Sequence, residues 1–251
     1  MNKSSVSWAL AALLFAPFSG QAAEDLLARA DAAWAGRDNK AQTLVAIQLY
    51  EQYAARNPAD AAVRVKLAHA TCWAFEQDPE MGKDRVIELM EKGIKACNEV
   101  LARDEDNPGA NYWLMWNMAG KTLMKGVFSG FAFKEALVAT IMVSKSDVGY
   151  EYGGVYCYWA LVINSLPSLL GRFFHFSNDD AIWLYQRAIK IEPRYLRNHF
   201  FLGAANQLGG KKDQARKEYR FCVSQPDDAL PGAVPENRLY KRLAQEAIKN
   251  L

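Results

Sequence analysis

The sequence predicts an all-α chain: about five helical hairpins stacked one on the next, with a C-terminal helix capping the pile. Three observations carry this reading. First, one pattern is written twice between Asp179 and Pro226. Ala181, Tyr185 and Ala188 recur 34 residues later as Ala215, Tyr219 and Cys222. That spacing fits one helix–turn–helix unit. Second, each copy ends on a proline, Pro193 and then Pro226, which stops a helix. Third, the alternating pattern of half-buried strands is absent, while 51% hydrophobic and 23% charged residues suit a sizeable core.

The elements follow in order. Glu24 to Gly36 reads as the first A helix, with Ala30, Ala33 and Trp34 on one face. Thr43 to Arg56 is its B partner, carrying Ala46, Tyr50 and Tyr53 in the repeated slots, and Pro58 ends it. Asp60 is an N-cap for the second A helix. Gln77 to Gly82 is a loop, and Asp84 to Leu101 the second B helix, packing through Gly93, Cys97 and Val100. Asn111 to Lys121 opens the third pair and is aromatic-rich. Its B helix is placed at about Lys134 to Val143, after a run of Gly and Phe. Asp147 to Gly154 is a turn, and Val155 to Leu166 the fourth A helix. A long connection from Pro167 to Phe176 leads to a B helix starting after Ser177 or Asn178. After Pro226 comes a loop, then an amphipathic helix from Glu236 to Asn250 that covers the open end, as solenoids require.

The stretch from Asp179 to Pro226, with Leu202-Gly203 and Gly210 at the close approach and the inter-helix turn, resembles the tetratricopeptide (TPR) repeat family. That resemblance implies a TPR-like superhelix over residues 23–251. A narrower one rests on Asp147-Val-Gly-Tyr-Glu-Tyr-Gly-Gly-Val-Tyr156, Leu166-Pro167, Leu170-Gly171 and Asn178-Asp-Asp-Ala181. These resemble the T-component of tripartite ATP-independent periplasmic (TRAP) transporters, over about residues 130–225. The resemblance implies a solute-binding P-component as partner and an apolar groove or channel for an organic ligand.

Residues 1–22 read as a removable signal peptide. Lys3 supplies the positive start, Val6 to Phe15 the short apolar run, and Gly20-Gln21-Ala22 the small cleavage residues. The run is too short to span a bilayer; an uncleaved anchor is the alternative. TRAP T-components carry a lipid-modified cysteine, and no cysteine lies near the cleavage point. The expected location is therefore periplasmic and untethered. The four cysteines, Cys72, Cys97, Cys157 and Cys222, read as small core residues or, in an oxidising compartment, as a Cys72–Cys97 bridge.

A net charge of only +2 gives no bulk electrostatic basis for binding nucleic acid. No nucleophile elbow, phosphate loop or HExxH is present, so no enzyme, cofactor or metal is expected. His69 and Cys72 lie three apart on one helix, which is ordinary helical spacing. Placing the A helices on the concave side turns a set of residues inward: His69, Trp73, Tyr112, Trp116, Asn164, Arg197, Phe200 and Gln207. Tyr152 and Tyr156 of the glycine-tyrosine turn either line an opening or lock the loop. A lining of rings and small side chains suits an apolar ligand, with Arg197 to meet a carboxylate and Asn164 and Gln207 to hydrogen-bond. Each ring could equally be core packing. The expected function is ligand holding for an uptake system with a docked solute-binding protein. The alternative is a TPR scaffold in the envelope with no small ligand. Self-association is left open.

Overall fold

The computed structural model describes residues 16–125, 140–141, 147–165, 171, 173 and 175–251, with side chains from residue 23 onward. Among the described residues there are ten α-helices, one 3-10 turn and no strand. They are α1 (Ala16–Ala35), α2 (Lys40–Arg56), α3 (Ala61–Gln77), α4 (Lys83–Leu101), α5 (Pro108–Lys125), α6 (Tyr150–Ser165), α7 (Asn178–Ile191), α8 (Leu196–Leu208), α9 (Lys212–Ser224), the 3-10 turn (Pro231–Ala233) and α10 (Val234–Lys249). The expected B helix at 134–143 lies outside the described residues except for helical Thr140 and Ile141. Residues 166–170, in the expected long connection, and residues 1–15 of the expected signal peptide lie outside them too.

The helices pair as hairpins α1/α2, α3/α4, α6/α7 and α8/α9, with α5 packed on α3 and α4. The fold is therefore a TPR-like stack of helical hairpins. Local chemistry explains the starts. Asn39 Oδ1 accepts from the Ala41 amide at 2.9 Å, and Asp60 Oδ1 from Val63 at 3.1 Å. Ser177 and Asp180 form a reciprocal capping box at the start of α7.

The repeated positions do the packing. Ala181, Ala188, Ala215 and Cys222 are fully buried, and Tyr185 and Tyr219 are 1% exposed. Small residues let the paired helices approach, and the tyrosine ring fills the space beside them. Gly203 shows the constraint, because a Cβ there would sit 2.6 Å from the Tyr219 ring.

All four cysteines are free and buried, in keeping with the reading of them as small core residues, and no Cys72–Cys97 bridge forms; burial pushes both thiols up. Two expectations change. The expected turn before α6 is a run of three left-handed residues, Glu151 (φ 48°), Tyr152 (φ 59°) and Gly153 (φ 78°), at its first turn. Only Gly153 adopts that conformation without steric cost. Finally, α10 does more than cap. It packs on α8 and α9, and it also reaches the loop between α1 and α2. There Arg37 and Glu236 form a two-pronged, nearly buried ion pair at 3.0 Å, and Arg238 meets Asp38. The last helix thus ties the end of the stack to its beginning.

Candidate functional site

The inward faces of α3, α5, α6 and α8, with Met90 of α4 and Tyr240 of α10, border a half-open cavity of about 340 Å³. Its walls are apolar: Phe75, Met90, Trp113, Trp116, Trp159, Leu161, Val162 and Phe201, with Tyr158 and Tyr240. Two charged side chains reach it, Glu76 from the end of α3 and Arg197 from the start of α8.

Arg197 is 6% exposed. Its guanidinium lies 4.5 Å over the Trp116 ring and 5.7 Å from that of Phe201. Nε is 3.1 Å from Glu76 Oε1, yet it is not aligned to donate there. Tyr240 Oη donates to the same carboxylate oxygen. Burial pushes the Glu76 carboxyl up, Arg197 opposes that, and Glu236 adds to it. A second carboxyl stands nearby. Burial pushes Glu151 up to about 7, with Glu236 raising it further and Arg197 and Arg37 opposing. Behind the cavity wall, Tyr112 Oη and Trp116 Nε1 are buried with no hydrogen-bond partner.

Chemically, this is a half-open, largely apolar pocket whose only cationic group among the described residues is a guanidinium with an unpaired Nε. Such a group is costly to bury unless something accepts from it. The arrangement suits an apolar body carrying an acceptor-rich head. Among the described residues no cluster of three metal-ligating side chains forms.

Of the residues expected to face inward, Trp116 and Arg197 line the cavity. His69 is held between Trp34 and Trp113, stacked on the latter at 3.9 Å, and burial pushes its pKa well down. Trp73 is 2% exposed, donates to the Arg37 carbonyl at 3.1 Å and packs with Leu239 and Tyr240 of α10. Tyr112 is fully buried beneath Gly154, and Phe200 packs among Phe201, Tyr219 and Tyr240. Tyr152 stacks on Tyr195 at 4.7 Å, and Tyr156 packs with the α6–α7 core. Asn164 carries a buried Oδ1 without a partner, away from the cavity lining. Gln207 is exposed and accepts from Tyr219 Oη at 3.0 Å, outside the cavity.

Glu76, Glu151, Tyr240 and Phe201 were missed. Glu76 had a signal: it extends the inward stripe of His69, Cys72 and Trp73 by one more helical step. Tyr240 had none, because its place follows from the return of α10 across the stack.

No curated protein matches the chain. Two crystal structures of MamA are similar to it. One is 19% identical with a TM-score of 0.46, covering 80% of this chain and 90% of that one. The other is 18% identical with a TM-score of 0.43, covering 84% and 94%. Residues 26–230 match the family described as "Regulator of microtubule dynamics protein 1-3". The T-component resemblance gains no support from these comparisons. With the match spanning most of the 251 residues, the chain belongs to the regulator of microtubule dynamics protein 1-3 family.

Proposed function

We propose that this TPR-like protein holds an apolar organic acid in the cavity between α3, α5, α6 and α8 and presents it to a protein partner. The observation that carries this is Arg197, a buried guanidinium whose Nε has no aligned acceptor although Glu76 stands 3.1 Å away, and which opens on a pocket that is apolar apart from that pair. A ligand carboxylate would supply the acceptors it lacks. The volume of about 340 Å³ lies at the small end of pockets that enclose a small molecule. An exported, periplasmic setting and a solute-binding partner are the finer parts of this proposal. They rest on residues 1–22 and on the glycine-tyrosine turn. The family's description speaks of microtubule dynamics; the cavity's chemistry selects no such partner.

The test is ligand binding followed by tryptophan fluorescence, since Trp113, Trp116 and Trp159 wall the cavity. Leu161→Trp should fill the pocket and abolish binding of medium-chain carboxylates while the protein stays folded. Unchanged affinity in that variant would remove the cavity from the function.

A scaffold role without a ligand is favoured by one other feature. Leu44 and Val45, about 40% exposed, border a shallow groove with Ile47 and Leu89, rimmed by Glu51, Arg85 and Lys92. That is the composition of a protein contact. A partner lost on Val45→Glu, from protein emptied of ligand, would favour the scaffold.

A further inference from the structure

We propose that the cavity takes up its acid together with one proton, Arg197 holding the ligand carboxylate and Glu76 carrying the proton. This rests on the ligand-holding role proposed above and deepens it. Arg37 and Glu236 satisfy one another through two bonds at 3.0 Å. Among the described residues Arg197 is left as the cation nearest Glu76, at 3.1 Å, with Glu151 in electrostatic reach. An incoming carboxylate at Arg197 becomes a third negative group beside one guanidinium. Carboxylates crowded in a poorly solvated site cannot all stay ionised, so the most easily protonated of them takes a proton.

Geometry selects Glu76 for that role. It lines the cavity, whereas Glu151 does not. One oxygen, Oε1, already accepts from Tyr240 and faces Arg197. A proton arriving from solvent on the other oxygen, Oε2, makes it a donor to the bound carboxylate. The Tyr240 bond is kept, and no other bond is made or broken. The groups facing Glu76 agree with this. From α3 comes Cys72, from α6 Cys157, from the start of α8 Tyr195 and Arg197, and from α10 Tyr240 and Glu236. Arg197 alone among them favours the ionised carboxylate by charge. Once the ligand occupies Arg197, that support is shared and the proton binds more tightly.

Linkage then sets the sign. The carboxyl has a higher pKa with ligand than without it, so affinity falls as pH rises above the ligand-free value, by at most about tenfold per pH unit. The experiment is titration calorimetry of the full chain with decanoate, in buffers of different protonation heat, between about pH 6 and 8. Decanoate stays ionised throughout that range. Proton uptake approaching one per decanoate is expected, with weaker binding at higher pH. Decanamide should bind with no proton uptake. Glu76→Gln should abolish the uptake, and Glu151→Gln should keep it. Decanoate binding without proton uptake in the wild type would overturn the proposal, a result that stands even if Glu76→Gln fails to fold. Uptake persisting in Glu76→Gln would overturn it as well. No decanoate binding at any pH would instead sink the ligand-holding role itself.

Discussion

Glu151 shows at a single residue how this interior handles charge. Its backbone is left-handed, which costs a non-glycine residue about 1 kcal/mol or more. Its carboxyl is largely buried, and burial pushes its pKa up to about 7 from 4.5. The folded state therefore holds this proton more tightly than the unfolded chain does. The stability so conferred is complete below about pH 4.5 and is lost as pH rises through about 7. The loss is about 3 kcal/mol. Urea midpoints of wild type and Glu151→Gln should diverge between pH 5 and 8, with the variant flatter; parallel curves would refute this. A neighbouring residue tests packing. A Cβ on Gly154 would land 2.0 Å from Tyr112 Oη, at the end of a rigid, fully buried ring. Gly154→Ala should cost about 2 kcal/mol, as overpacking does, measured by chemical denaturation.

At the scale of the element, α10 is the informative helix. Its face toward α8 and α9 covers the apolar end of the stack with Leu239, Tyr240 and Ala244. Its first turn carries Glu236 to Arg37, a contact spanning 199 residues of chain. Both side chains are about nine-tenths buried, 11% and 8% exposed. Removing one partner leaves the other charged and poorly solvated, at about 3 kcal/mol or more. Glu236→Ala and Arg37→Ala should each lower the melting temperature. The double variant should lose less than the sum; strict additivity would mean that the pair does not couple α10 to the first hairpin. Trp73 and Gln77 at the end of α3 both donate to the Arg37 carbonyl, so the loop that receives α10 is itself held by α3.

For the whole molecule, an open solenoid unfolds by pieces, because each repeat touches only its neighbours. Here the last helix returns to the first loop, which couples the ends. Deleting residues 234–251 should broaden the thermal transition or split it, and should speed amide exchange in α1 and α2, far from the cut. A single sharp transition in the truncated chain would show that the closure adds no cooperativity. The same closure bounds the cavity, since Tyr240 of α10 forms part of its wall.

The repeat was legible in the chain because helical packing at Ala181, Tyr185 and Ala188 and at their partners 34 residues on is a local, periodic signal. The cap at Asp60 was legible for the same reason, as a bond between residues three apart, whereas the start of α7 was read only as after Ser177 or Asn178 and the structure puts the cap on Ser177. Of the inward residues, Trp116 and Arg197 were found by helical register, while Gln207, on the same helix as Arg197, is exposed. Register assigns a face to a whole helix and cannot tell where a neighbour stops covering it. By itself, then, the sequence determined the helices, their pairing and a ring-lined interior, because those depend on spacing along the chain. Only the tertiary structure decided that Glu76 stands beside Arg197, that Glu236 answers Arg37, and that a cavity remains between α3, α5, α6 and α8. Each of these depends on how far the stack curves before its last helix meets its first loop, a distance in space that no spacing in the sequence records.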